Sequence, residues 1–472
     1  MYNKPEEKDY TLYILGIIIA AGFVLRFFNL GFNSVWMDEA VTALHSSGTL
    51  ESIWTSMTGT LDYNPPFFFL LEWIVIKLFG ITEWSLRLLP AFFGALAVPI
   101  TYLAGKEFKD KYVGLIAAAI ISFSPFLIYY SQEARPYTMV LFLCSLLMYF
   151  FLKGLKENES IVWIAFGITS AAIFYTHFYG LVFVGILWLF ALIKYIKTPL
   201  RIINGAIIGT IISTPLIFAA YSLYFQRTAS PVTYGSNGIY LIPDTIIQMF
   251  GYIGRSVVAF GESYSILLFL ILGFLGMLWL FYKDKEKFAL MVWILGLTFA
   301  ISIAASNKIP MLPRYLLFLM VPASLIIGST YQMFANMFQQ RNPKIIAIVF
   351  VILFFVAAIP FYSSYYTSST RDDWKTVGRD LSDITQDGDT VIVAPRYANF
   401  ALDFYYSSSK DKTTEVGVMS VEEMLSVPKS GSVFYIMTGD IAAADPSGSL
   451  QHWLETNTRL VKQYGNIVIA RG

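Results

Sequence analysis

Eleven long apolar runs dominate the chain, each close to the length at which a helix crosses the hydrocarbon core of a bilayer, about 20 residues. They lie near residues 11–30, 85–105, 112–130, 137–153, 160–176, 178–196, 201–221, 265–282, 288–305, 314–334 and 344–362. A soluble protein carries about 45–50% apolar and about 25% charged residues. Here 56% of 472 residues are hydrophobic and 14% charged, so lipid must solvate most of the chain. The fold class read from this pattern is a polytopic α-helical membrane protein.

The first ten residues, MYNKPEEKDY, are mixed in charge and no small-residue cleavage site closes the run that follows. That run therefore reads as a retained first span. Lys and Arg total 33 against 32 Asp and Glu, which gives no electrostatic case for a nucleic-acid partner. The single Cys144, inside VLFLCSLLMYF, reads as packing.

One apolar segment is left out of the count. PPFFFLLEWIVIKLFG, residues 65–80, is short, opens on two prolines and carries Glu72 and Lys77. If it does not span, the basic connections Lys106/Lys109/Lys111, Lys153/Lys156, Lys194/Lys197/Arg201, Lys283/Lys285/Lys287 and Arg341/Lys344 share one face. By the positive-inside bias that face is cytoplasmic. The segment is then an interfacial helix, the amino terminus is cytoplasmic, and the 31–84 connection lies outside. Residues 222–264, with SPVTYGSNG, read as a large outer loop. The membrane domain spans 1–365. Residues 366–472 form a small extracytoplasmic α/β domain, with a helix in TRDDWKTVGRDLSDI and strands in DTVIVAP, SVFYIM and NIVIARG.

In this topology the costly ionisable residues gather at outer span ends, where they mark function by default. They are Asp38 and Glu39 in SVWMDEAVTALHSSG, Glu133 and Arg135 in YSQEARPY, His177 in YTHFYG and Arg314 in LPRYLLF. Each has a plain alternative: a helix cap for the acidic pair, a solvated pair for Glu133 and Arg135, a hydrogen-bonded structural histidine, and a snorkelling arginine. Four distant loops converging on one face weaken those alternatives. Asp62 and Tyr63, in DYNPPFFF, are additional site candidates whose alternative is turn chemistry.

One reaction uses such a set economically. Transfer of a sugar from a polyprenyl phosphate to a hydroxyl needs a base for the acceptor proton. It needs no acid, because phosphate leaves as a stable anion. Asp38 suits the base, and Arg314 or Arg135 a clamp on the phosphate.

The order of WMDEA, NPPFFFLLEW, EWSLRLLPAFFGAL, SPFLIYYSQEARPY, YTHFYG and LPRYLLFLMVP resembles the GT-C superfamily of membrane glycosyltransferases over roughly residues 10–335. Within it the pattern is similar to the dolichyl-phosphate-mannose-protein mannosyltransferase and aminoarabinose-transferase branch. The resemblance implies an inverting transferase with a polyprenyl-phosphate sugar donor and a protein, lipid or polysaccharide acceptor. It places the base at Asp38 with Glu39 beside it, the second-loop acid at Glu133, and the basic residue holding lipid phosphate at Arg314; Arg135 and His177 are further donor-site candidates read from the outer motifs. The family's His before Pro-Pro is Asn64 here, so that role does not transfer. No cofactor is expected; the alternative is a divalent cation, Mg or Mn, held by Asp38 and Glu133. The rival readings are a proton-coupled transporter or lipid flippase, which favours midplane sites and internal repeats, and a non-catalytic membrane scaffold.

Overall fold

In lipid every backbone N–H and C=O must find its partner within the protein, which leaves uniformly apolar runs little choice but helix. The computed structural model describes residues 9–59, 64–229, 238–250, 260–306, 311–340, 342–406 and 413–472, and each of the eleven runs is mainly helical in it. Among the described residues, seven helices are long and apolar enough to cross a membrane. Lys111–Phe123 and Pro125–Ser131, bent by 57°, make an eighth if taken as one broken span. Thr11–Phe27, Ser160–Thr176 and Gly180–Lys194 are shorter apolar helices. The chain is an integral membrane protein. The excluded segment forms Phe67–Phe79, 13 residues. At 1.5 Å per residue it is about 20 Å long, short of a hydrocarbon core of about 30 Å.

The chain divides into two compact units: Met1–Phe28, Gly48–Leu78 and Arg87–Ser364 form the first, and Asn29–Ser47, Phe79–Leu86 and Tyr365–Gly472 the second. Division of the 31–84 connection between them differs from the expected boundary, which gave all of it to the membrane domain. The cause is polar bonding of residues 29–36 to the carboxy-terminal region, described below.

Within the first unit, small residues let helices touch backbone to backbone, the usual route to packing where lipid supplies no hydrophobic drive. A Cβ on Gly205 would sit 2.1 Å from the Trp163 carbonyl oxygen, and one on Gly167 2.1 Å from that of Gly205. Ser160–Thr176 and Leu200–Ala229 are thereby locked together. The expected 222–264 loop is partly helical: Leu200–Ala229 continues into it, and Leu241–Phe250 forms a further helix. The latter buries Leu241, Thr245 and Met249, an i, i+4, i+8 stripe that the Gly- and Pro-rich flanks obscure in the sequence. Residues 230–237 and 251–259 lie outside the described residues.

The second unit carries a five-stranded sheet. Its strands are β1 (Thr390–Ala394), β2 (Thr414–Gly417), β3 (Val433–Met437), β4 (Arg459–Tyr464) and β5 (Ile467–Arg471), in spatial order β2-β1-β3-β5-β4. β1 pairs in parallel with β2 and β3, while β5 runs antiparallel to β3 and β4. Every residue of β1 is buried, as a central parallel strand with both faces covered requires. Val391 and Val393 face one core with Trp374, Val377 and Leu381; Ile392 and Ala394 face the other with Met424, Tyr435 and Leu454. β1, β3 and β5 occupy the three predicted strand segments. The edge strands β2 and β4 are short or polar and carry no apolar alternation to betray them.

Candidate functional site

The site candidates of the first unit hang on the bend at Ser124. Pro125 has no N–H to give to the Ile121 carbonyl four residues earlier, and it starts the next helix at a position that suits proline. Ser124 caps that helix, accepting from the Leu127 amide at 3.3 Å. The carbonyls freed by the break are taken up by other elements. Arg26, fully buried, donates to Ile121 at 2.8 Å and Ser122 at 3.0 Å, and also to Gly22 and the Ser131 hydroxyl. The Tyr362 hydroxyl donates to Phe123 at 2.8 Å.

The exchange is reciprocal. Gln132, just past the bent pair, donates from Nε2 to the carbonyls of Arg26 at 3.0 Å and Phe28 at 2.9 Å, closing the end of the first helix. Arg26 and Gln132 therefore pin the turn carrying Glu133 and Arg135 from both sides. Glu133 is 1% and Arg135 8% exposed, so this turn is interior, unlike a solvated surface pair. The Arg135 amide donates to the Glu133 carbonyl at 2.7 Å, tightening it.

Beyond the turn, Tyr137 opens the helix Tyr137–Glu157 and meets two other segments. Its ring lies 6.0 Å from His177 and 6.2 Å from Tyr315. His177 ends the helix Ser160–Thr176, and its Nδ1 accepts the Tyr179 amide at 3.3 Å. In the neutral ring that contact assigns the proton to Nε2. Tyr179 stacks on Tyr315 at 4.5 Å. Arg314, in the 3₁₀ segment Pro313–Leu319, places its guanidinium 6.0 Å from the Tyr137 ring centre and 5.6 Å from that of Tyr315. Both distances suit cation–π attraction. Glu133 and Arg314 both act electrostatically on the buried Tyr130 hydroxyl, which places them in one neighbourhood. Three distant segments thus assemble a half-buried cation on a wall of tyrosines, beside a histidine and an acid.

Asp38 and Glu39 stand in the second unit, at the start of the helix Met37–Ser47. Adjacent helical positions point about 100° apart, and their fates differ. Glu39 is fully buried and ion-paired with Arg371, whose side chain is 5% exposed. Glu39 Oε2 also accepts from the Trp36 amide at 3.4 Å, the third-position carboxylate bond of a capping box. Asp38 is half-buried beside this fixed neighbour. Asp62 and Tyr63 lie outside the described residues.

Sequence reasoning missed Arg26, Gln132, Arg371 and the tyrosine wall. Arg26 carried a usable signal, a cation within an apolar run, and so did the tyrosines near Glu133, Arg135, His177 and Arg314. Among the described residues no group of three or more His, Cys, Asp and Glu side chains is placed to hold a metal ion. A groove of about 410 Å³ between Ser160–Thr176, Gly180–Lys194 and Leu200–Ala229 is lined by residues such as Phe174, Leu181, Trp188 and Thr210. No titratable side chain is among the described residues that line it.

Residues 63–218 match the model of the dolichyl-phosphate-mannose-protein mannosyltransferase family. An uncharacterized protein of Aquifex aeolicus (strain VF5) is 27% identical over 206 residues, a match covering 41% of this chain and 40% of that protein. The fold is similar to that of ArnT from Cupriavidus metallidurans, with a TM-score of 0.60, 13% identity and 98% of each chain covered in the apo state. A second ArnT structure, bound to undecaprenyl phosphate, is similar with a TM-score of 0.60 at 12% identity over 98% of each chain. The oligosaccharyltransferase AglB from Archaeoglobus fulgidus, in complex with an inhibitory peptide and a dolichol-phosphate, gives a TM-score of 0.55 at 13% identity over 99% of this chain and 76% of that one.

Proposed function

We propose that the chain is a membrane glycosyltransferase of the GT-C type and that it transfers a sugar from a polyprenyl-phosphate donor to a hydroxyl acceptor, with inversion, on the extracytoplasmic face of the cell membrane; the family match over residues 63–218 and the ArnT-like fold support this reading. The observation that carries the reading is Arg314 poised on Tyr137 and Tyr315 beside His177. A half-buried charge at a span end is retained for a ligand more readily than for stability.

Asp38 acts as general base. As the acceptor oxygen attacks the anomeric carbon, Asp38 takes its proton, the new glycosidic bond forms, and the bond from carbon to phosphate oxygen breaks with its electron pair on the phosphate. Arg314 supplies a planar fork of donors to the departing polyprenyl phosphate, with Arg135 and His177 as its companions in the donor site. The aromatic faces of Tyr137 and Tyr315 orient the guanidinium. Glu133 is the second acid of the site, and Glu39 works through Asp38. Undecaprenyl phosphate bound to ArnT and dolichol-phosphate bound to AglB support a polyprenyl carrier here.

The test is incubation of purified protein with a panel of polyprenyl-phosphate sugars and hydroxyl acceptors. One donor should be consumed, its sugar should emerge with inverted configuration, and Arg314→Ala should raise the donor KM at least tenfold. Retained configuration would refute direct displacement. Uptake into sealed vesicles without a new glycosidic bond would favour transport instead.

A further inference from the structure

The role of the carboxy-terminal domain is written in its contacts with the segment that carries Asp38, all of them inside the second unit. Residues 33 to 36 form an extended lead into the helix Met37–Ser47, and each of them is gripped from residues 369–405. Asn33 Oδ1 accepts the Thr370 amide at 3.0 Å and the Ser369 hydroxyl at 3.3 Å. The Ser34 hydroxyl donates to Asp373 Oδ1 at 3.4 Å and accepts the Lys375 amide at 3.3 Å. The Val35 amide donates to the Tyr405 hydroxyl at 2.7 Å. Trp36 lies under the Arg371 guanidinium, 5.9 Å from it, and Arg371 closes the buried pair with Glu39.

The sequence explains why such a grip is needed. A helix of 11 residues is marginal alone, and its capping position is Trp36, whose carbonyl accepts the amides of Glu39 and Ala40. Tryptophan has no side-chain oxygen to bond the first amides as Ser, Thr, Asp or Asn would. Only the Glu39 half of a capping box is present, and that carboxylate is itself held by Arg371. The Tyr405 hydroxyl that receives Val35 also donates to Glu83 at 3.1 Å, and Lys375 pairs with Glu83 at 2.9 Å, so the grip extends to residues 79–86. Tyr405 is in turn fixed by Gly378, where a Cβ would sit 2.6 Å from the tyrosine Cβ.

We infer that the carboxy-terminal domain is a positioning device for Asp38, with Arg371 and Tyr405 as positioning residues that set the helix start and hence the direction of the base. This rests on Asp38 being the base. Neither residue meets substrate; both act through the backbone of residues 33–39. Their loss lowers kcat and leaves donor binding alone, because the donor phosphate is held by Arg314 in the first unit.

The experiment uses the full-length protein in Arg371→Met, Arg371→Lys and Tyr405→Phe forms, with exposed Arg396→Ala as a control in the same domain. Misplacing a reacting group by about 1 Å costs on the order of a hundredfold in rate. Arg371→Met should lose kcat on that scale, Arg371→Lys should recover part of it, and Tyr405→Phe should lose about tenfold by the same reasoning. The donor KM should stay within about twofold in all three, as expected when only transition-state contacts are lost. Hydrogen exchange gives a readout independent of activity: in Tyr405→Phe the Val35 amide should exchange faster than in wild type. Unchanged kcat together with unchanged Val35 protection overturns the inference, as does a rise in KM at constant kcat. If Arg371→Met fails to fold, Tyr405→Phe, which removes a single oxygen, decides alone. Should Asp38→Asn be inactive while these variants match wild type, the inference fails and the proposed base stands. Should Asp38→Asn retain full turnover, the proposed base fails, and the exchange result still reports whether the grip exists.

Discussion

Arg26→Met removes every donor from a buried side chain while keeping an apolar stem of similar length. In the wild type its guanidinium serves the carbonyls of Ile121 and Ser122 at 2.8 and 3.0 Å, and the first of these has no helical donor because residue 125 is proline. Hydrogen bonds involving a charged group contribute about 1.5–3 kcal/mol each, so losing these two costs about 3–6 kcal/mol. Removing a buried cation also relieves its desolvation, and that gain often cancels the loss when all partners become apolar. Here the acceptors are backbone carbonyls that stay buried after substitution, so the loss wins. Arg26→Lys, with one ammonium in place of a fork, should recover about half of it. Thermal unfolding of purified protein in detergent, with hydrogen exchange across residues 120–137, measures both effects. An Arg26→Met protein with the wild-type midpoint and unchanged protection at the bend would refute the claim that Arg26 holds the Glu133 turn.

Gly205→Leu should destabilise by about 3 kcal/mol or more, since the new side chain meets backbone and not a movable side chain, with the Trp163 oxygen 2.1 Å from its Cβ. Gly185→Ala, with nothing within 4 Å of the new Cβ, should unfold at or slightly above the wild-type temperature. In the carboxy-terminal domain, the Lys462 ammonium and then the Tyr464 hydroxyl hold the Asp380 carboxyl down at about 2, from an ordinary 3.8. A depressed carboxyl gives stability that is complete above its unfolded value and is lost as pH falls through its folded value. Wild-type unfolding should therefore steepen between pH 3.8 and about 2, and Asp380→Asn should flatten that part of the profile.

The helices, including the short Phe67–Phe79, and three strands were legible because period and length are properties of a local stretch. The charged span ends were legible for the same reason: a cation or acid beside an apolar run announces its own cost. The Glu39–Arg371 pair was not, because 332 residues separate its partners and Arg371 sits in TSSTRDDW, an ordinary polar stretch. Arg26 was overlooked although it stands inside the first apolar run. Its partners are carbonyls exposed by a helix break at Ser124-Pro125, and a break of this kind shows as a single proline. The helix Leu241–Phe250 hid for the opposite reason, since turn-rich flanks outweighed its ten-residue stripe.

The central claim is that Asp38 removes the acceptor proton during sugar transfer, and turnover by Asp38→Asn tests it most directly. The substitution keeps the shape and the half-buried position at the helix start and removes only the basic carboxylate. General-base catalysis contributes about 10²–10⁴-fold. With the donor that wild type consumes, the variant should bind with similar KM, unfold at a similar temperature, and release polyprenyl phosphate at least about a hundredfold more slowly. Release at the wild-type rate by a folded Asp38→Asn protein would contradict the account.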